Sequence, residues 1–297
     1  MSRPSPSPAA SSVLPAATRL GPVELTVTDL ERTIRFYREV IGLRLHHRED
    51  ARASMGVGGE DLVVFLENPS ARRADRHAGL YHVALLLPSR LQLARAALRL
   101  GVGRTPIQGA SDHGTHEAIY LGDPDGNGLE LAADRPREQW PDPQDPSLWR
   151  GGPQPLDVDD LLGLVSGRDP EPEAGEGTSI GHLHLHVGDV EAALRFYCEV
   201  VGFELQIVMP TAGFVSAGGY HHHIAFNTWR GEGVGPAPAD AVGLRRFTVY
   251  VPTAADVDAA RVRLEEAHLP SSEGEAEIVA RDPSGNALRI AVDPLPV

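Results

Sequence analysis

Four short strings concentrate the groups that could do chemistry. GLYHVALLLP (79–88), IGHLHLHV (180–187) and YHHHIAFN (220–227) carry histidines, and GLELAAD (128–134) supplies a carboxylate. Each reads as a strand, and side chains on a strand alternate between faces, so the apolar positions mark the packed face. Val83 and Leu85 take that face in the first string, which turns His82 to the other side. Leu129 and Leu131 do the same for Glu130. Outward Leu183, Leu185 and Val187 leave His182, His184 and His186 inward. In YHHHIAFN, with Ile224 and Phe226 packed, the alternation turns His221 and His223 inward and His222 outward. Imidazoles and a carboxylate facing one cavity can hold a divalent metal, move protons, or form a hydrogen-bonded polar cluster. A lone strand histidine is most often of the last kind.

Other groups have two readings each. Asp112, His113 and His116 precede the strand EAIYL and read as substrate contacts or as a polar loop. Tyr220 and Tyr250 could position a phenol or pack at a core rim. The single Cys198 cannot form an intrachain disulfide and lies in the helical string RFYCEV, as a buried, inert thiol does. Every cation is Arg, which excludes a Schiff-base lysine. A formal net charge of -14 argues against a nucleic-acid partner. No apolar run reaches the roughly 18 residues that a membrane span needs. Residues 1–18, rich in Ser, Pro and Ala with no secretory apolar core, read as a disordered leader, and the expected location is cytoplasmic. Self-association into a homo-oligomer is left open by the sequence.

The elements that position these residues come from a repeat. TVTDLERTIRFYREVIGLRL (26–45) recurs as HVGDVEAALRFYCEVVGFEL (186–205), and LGDPDGNGLELAAD (121–134) recurs as ARDPSGNALRIAVD (280–293). The copies differ chemically: Arg246 stands at the position of His82, and Arg289 at that of Glu130. Both arginines read as ion-paired rather than as a clamp for substrate. The unit begins with a strand over 20–28, followed by Asp29 as N-cap of a helix to about Val40 that Gly42 ends. Strands follow at about 43–48, 52–57 and 61–67. Segments 79–133, 180–229 and 243–293 repeat this order. The expected fold is α+β: four βαβββ modules in two tandem domains, at 19–135 and 179–297. A linker over 136–178 carries one short helix within 156–165. Each sheet should curl, with its helix on the convex face and the concave face left for a site.

GLYHVALLLPSR, SDHGTHEAIYLGDPDGNGLEL, IGHLHLHVGDV and GGYHHHIAFNTW, in that order, resemble the vicinal oxygen chelate superfamily of glyoxalases, bleomycin-resistance proteins and extradiol dioxygenases. The stronger likeness is to its two-domain, catechol 2,3-dioxygenase-like branch, from Leu20 to Asp293. The resemblance implies metal ligands on the first and last strands of a module, hence His82, Glu130 and His182. Two imidazoles and one carboxylate suit Fe(II), with Mn, Ni or Zn as other divalent candidates. It further implies a small catechol-type aromatic substrate, dioxygen, and a place in aromatic catabolism. His184, His221 or His223 would serve as the acid–base group, and Asp112, His113, His116 and Tyr250 would contact the substrate. The three ligands meet only if the second and third modules pair. With pairing inside each half, the first half has His82 and Glu130, completed at most by Glu24, and the second has histidines alone. Two other functions stand beside ring cleavage: a glyoxalase-type metal-dependent isomerase or lyase, and a metal-free small-molecule binder.

Overall fold

The structure, a computed structural model, describes residues 13–142, 152–274 and 277–295. Of the expected leader, residues 1–12 lie outside the described residues, and Leu14 just beyond them is buried. The first module comprises β1 (Arg19–Val27), α1 (Leu30–Phe36), β2 (Arg44–Glu49), β3 (Arg52–Val57) and β4 (Glu60–Glu67). The second comprises β5 (Gly79–Leu86), α2 (Arg90–Val102), β6 (Gly109–Asp112), β7 (His116–Gly122) and β8 (Gly128–Asp134). The connector holds β9 (Gln154–Pro155) and α3 (Val158–Gly163). The third module has β10 (Ser179–His186), α4 (Val190–Leu194), β11 (Glu204–Met209), β12 (Ala212–Ser216) and β13 (Ile224–Asn227). The fourth has β14 (Gly243–Val251), α5 (Ala254–Glu266), β15 (Ser272–Gly274), β16 (Glu277–Arg281) and β17 (Ala287–Val292).

Neither sheet is built from one half of the chain. The first sheet runs β15-β16-β17-β14-β1-β4-β3-β2 and joins the outer modules. The second runs β11-β12-β13-β10-β5-β8-β7-β6-β9 and joins the inner ones. The seams are antiparallel pairs, β1 with β14 and β5 with β10, the latter placing Leu183 opposite Val83 and His184 opposite His82. Val83, Leu85, Leu129, Leu131, Leu183, Leu185, Ile224 and Phe226 are buried as alternation requires. They belong to the core that also takes the apolar face of α2.

Asp29 caps α1 by accepting the Arg32 N–H, as expected. The helices of modules one and three then depart from a regular run. Each passes into a π-helical turn, Tyr37–Ile41 and Arg195–Val201, before Gly42 and Gly202 close it with φ of 91° and 102°. Such a turn inserts one residue and re-aims the side chains on it. Here it sends the Tyr of each RFY to the Asp of the neighbouring module's turn. The Tyr197 hydroxyl donates to Asp282 Oδ2 at 3.0 Å, and buried Tyr37 lies against Asp123. Asp125 accepts from Thr28 N–H and hydroxyl, and Ser284 Oγ accepts from Gly188 N–H. Arg99 of α2 donates to the Val40 and Ile41 carbonyls, and Arg263 of α5 to those of Val200 and Val201. Thus the repeated motifs fasten sequence neighbours together, while strand pairing joins inner with inner and outer with outer.

Asp282 also accepts the Ser284 and Asn286 backbone N–H groups and the Asn286 amide. Asp282→Ala leaves those buried donors bare and should cost about 3 kcal/mol, against about 1 kcal/mol for Tyr197→Phe. Urea unfolding of the two variants measures both; equal losses would contradict the central role of the carboxylate.

Candidate metal centre

Register brings the chemistry together. In the inner sheet β5 lies between β8 and β10, with Ala84 paired to Glu130 on one side and to His182 on the other. Glu130 and His182 therefore flank a methyl-sized residue and can meet above it. His82 stands two residues from Ala84 on the same face. Its Nε2 lies 3.1 Å from Glu130 Oε2, and His182 Nε2 lies 3.2 Å from the same oxygen. All three side chains are buried, and their ligand atoms lie within 4.8 Å of one another. The other carboxylate oxygen, Oε1, is 3.2 Å from His116 Nε2 yet has no properly oriented hydrogen-bond partner.

The electrostatics fit a cation. Burial alone would raise the Glu130 carboxyl, but the imidazoles of His182, His116 and His82 around it outweigh burial and hold the group well below the usual range. Burial, only partly offset by Glu130, pulls His82 down to about 3, so its ring is neutral and its nitrogen free to ligate. Two cis ligands about 2.1 Å from a metal stand about 3.0 Å apart, close to the two distances observed. The donor set, the spacing and the orphaned oxygen all suit a divalent ion with open positions.

A bulge shapes the rest of the cleft. Between His184 and Leu185 the register with β5 shifts, pairing His184 with His82 but Leu185 with Leu80, and Tyr81 is left over. A bulged residue changes face. Strict alternation places Tyr81 with Val83, but its ring lies 4.9 Å from His82, 5.0 Å from His184 and 5.3 Å from Trp229. Tyr81 and Trp229 are both exposed, at 41% and 54%, and stand edge to face at the cleft.

His184 is inward, as expected, and its Nε2 accepts from the Asn227 amide at 2.8 Å. Asn227 Oδ1 in turn accepts from His186 Nδ1 and the Trp229 N–H. The histidine triplet differs from expectation. Strand β13 starts only at Ile224, so residues 221–223 lie in an irregular bend before it, where alternation does not hold. His222 faces the site, with its ring 4.2 Å from that of His182. His223 is held differently: its Nδ1 accepts the Ala217 N–H at 3.1 Å and its ring lies against Tyr220. His221 is inward, 3.2 Å from Asp134 Oδ1, with its Nδ1 2.8 Å from His222 Nδ1.

Of the residues expected to contact substrate, His113 and His116 line the same region, stacked at 4.4 Å. Asp112 is turned to Arg135, at 2.8 Å. Tyr250 is a correction: it lies on β14 in the other sheet, packed over Gly21 beneath the Arg19 guanidinium. Its strand face belongs to the outer sheet and not to the sheet that holds His82, Glu130 and His182. Tyr120, which the motif reading passed over, accompanies the centre: its hydroxyl is 2.6 Å from His113 Nε2, and burial and the Glu130 charge push its pKa up. Its position on β7 beside Glu130 was its only sequence signal.

A second group of possible ligands, His116, Asp134 and His221, sits next to the first. The His116 and His221 rings are stacked, 4.6 Å apart and 16° from parallel. An imidazole lone pair lies in its ring plane, so stacked rings cannot both aim at one ion. This group is a polar stack rather than a second centre. In the outer sheet the positions matching the ligands hold Pro22, Arg246 and Arg289. Arg246 pairs with Glu24 at 2.7 Å and Arg289 with Glu277 at 3.1 Å, so both are ion-paired, and Glu24 lies on β1 in the other sheet from His82.

The family model for the Glyoxalase/Bleomycin resistance protein/Dioxygenase superfamily matches residues 19–131 and 179–290. The chain is 38% identical over 275 residues to the catechol-2,3-dioxygenase of Bacillus subtilis, covering 91% of this chain and 95% of that protein. It is 29% identical over 116 residues to the lactoylglutathione lyase of Neisseria meningitidis, covering 36% of this chain and 84% of the relative. Among solved structures, glyoxalase I from Zea mays superposes with a TM-score of 0.59 at 18% identity, covering 93% of this chain and 92% of that one.

Proposed function

The chain belongs to the glyoxalase/bleomycin resistance protein/dioxygenase superfamily, and on that premise we propose that it cleaves the ring of a catechol-type aromatic substrate with dioxygen, His82, Glu130 and His182 holding Fe(II). The observation that carries this reading is the convergence of two buried imidazoles on one carboxylate, Glu130. The likeness to a catechol-2,3-dioxygenase supports it. A glyoxalase-type reaction calls for a second carboxylate at the metal. The nearby candidate, Asp134, is engaged by His221.

When bound, the iron would supply the Lewis acidity that lowers the pKa of the catechol hydroxyls and the electron transfer that dioxygen needs. The chain's own residues orient the ring and handle the proton. The Asp134 carboxylate accepts from His221 Nε2–H, which leaves His221 Nδ1 as an acceptor. His222 Nδ1–H then donates to it, and the lone pair of His222 Nε2 stays free. Burial among the neighbouring imidazoles keeps His222 neutral. His222 is therefore the ring whose free Nε2 can accept a hydrogen bond from a substrate hydroxyl, with His221 and Asp134 fixing its tautomer. His184 is less suited, since its Nε2 lone pair is occupied by Asn227. Tyr81 and Trp229 offer edges and faces against which a flat ring can lie.

No helix among the described residues is long and apolar enough to cross a membrane. A cytoplasmic setting accords with the lone free Cys198, whose thiol burial pushes up to about 11.

The test is reconstitution under argon with Fe(II), followed by catechol and oxygen. The expected result is iron-dependent oxygen uptake with formation of a yellow ring-fission product. Oxygen-independent turnover of a glutathione hemithioacetal with Ni(II) or Zn(II), and none of catechol, would replace this reading with the isomerase.

A further inference from the structure

Where the four modules meet, a cavity of about 180 Å³ lies between the two sheets, away from the ligand trio. Its walls include the turns around Gly126 and Gly285, the start of β5 and the start of β14. Arg73, Arg230, Arg245 and Arg281 line it. Four arginines on the walls of one cavity run against a chain whose net charge is -14. Their partners are poor in compensating charge. Arg73 pairs with Asp75 at 3.3 Å. Arg230 donates to the His77 carbonyl, Arg245 to that of Ala239 and Arg281 to that of Gly285. Among the described residues none of these three makes an ion pair. The other lining carboxylate, Asp125, is already bound by Thr28 and Arg32. Arg230 is partly buried, and that burial presses its pKa down even with Asp75 nearby.

Each guanidinium has donors left over once its carbonyl bond is made, since Arg carries five N–H groups. The cavity has room for about six water molecules at their liquid volume, which is ample for one tetrahedral anion. A single carboxylate is satisfied by one bidentate arginine, whereas several guanidiniums on different walls suit a multiply charged oxyanion. We propose that this cavity binds a phosphate, free or as the phosphoryl group of a phosphomonoester, through Arg73, Arg230, Arg245 and Arg281. The ligand would touch both sheets and clamp inner modules to outer ones. Binding to the folded state alone then raises the melting temperature with ligand concentration.

The experiment is isothermal titration of the full chain with inorganic phosphate and, separately, with glycerol phosphate, at ionic strength held constant with chloride. One saturable site per chain is expected for at least one of them, and the tighter one identifies the source. Arg281→Gln and Arg230→Gln should each weaken it roughly tenfold or more, while Arg168→Gln on the connector should not. Arg245 and Arg281 are exposed, so their variants carry the test if Arg230→Gln fails to fold. No saturable binding of either probe, or full affinity in the Arg245→Gln, Arg281→Gln double variant, overturns the proposal.

Discussion

Glu130→Gln is expected to remove bound metal and oxygen uptake together while leaving the fold intact. The carboxylate is the one formal negative charge in the trio and sits against both His82 and His182. An amide of the same shape cannot neutralise a divalent ion and presents a weaker donor oxygen. Outer partners of metal ligands are worth 10- to 100-fold in affinity, so loss of a ligand itself should cost on the order of a hundredfold or more. Catechol-dependent oxygen uptake should fall about a thousandfold. The fold should tolerate the change, because the substitution also removes the cost of burying a charge. Arg289→Gln provides the contrast: it occupies the matching position in the outer sheet, pairs with Glu277, and should retain its metal. Metal per chain by elemental analysis and an oxygen electrode read both outcomes. A Glu130→Gln protein that still carries one metal per chain would place the centre elsewhere.

Acidifying the metal-free protein from pH 7 toward pH 5 is expected to destabilise it steeply. Burial is the leading cause that lowers His82 and His221 to about 3, and His113, His186 and His223 to about 4. It holds His184 and His222 well below the ordinary value as well. Folded, these rings stay neutral down to those values; unfolded, they protonate near pH 6.5. Between about pH 6.5 and pH 4 the unfolded chain therefore binds more protons, so stability falls as pH falls. Above pH 6.5 the penalty is absent. Each group contributes about 1.4 kcal/mol per pH unit in that window. Three acting fully would remove roughly 4 kcal/mol per unit, against a total of about 5–15 kcal/mol for a typical protein. Thermal melts across pH 5 to 8 should show a fall of about 10 °C or more below pH 6.5. A flat profile would mean that the cluster is solvated rather than buried.

Much of this architecture was legible in the residues. Strands with period two and helices ended by glycine gave the βαβββ order, and β2, β3 and β4 lie within a residue or so of expectation. The copies' disagreement, His82 against Arg246 and Glu130 against Arg289, separated a sheet with candidate ligands from one with ion pairs. Alternation failed where its premise failed. His222 lies in an irregular segment before β13, and Tyr81 sits on a bulge that depends on the partner strand. Tyr250 is on a sound strand, but in the outer sheet. The repeated RFY and DPxGN motifs proved to be fasteners between modules, a role visible only once Tyr197 meets Asp282.

By itself the sequence determined which side chains each strand offers to a cleft, because that follows from backbone pleating and local apolar pattern. Only the tertiary structure decided which clefts are one. A strand edge carries no address for its partner, so nothing local says that β5 pairs with β10 across the long connector. That pairing sets His182 beside Glu130. The same packing stacks His116 on His221, which turns a plausible second ligand set into a wall.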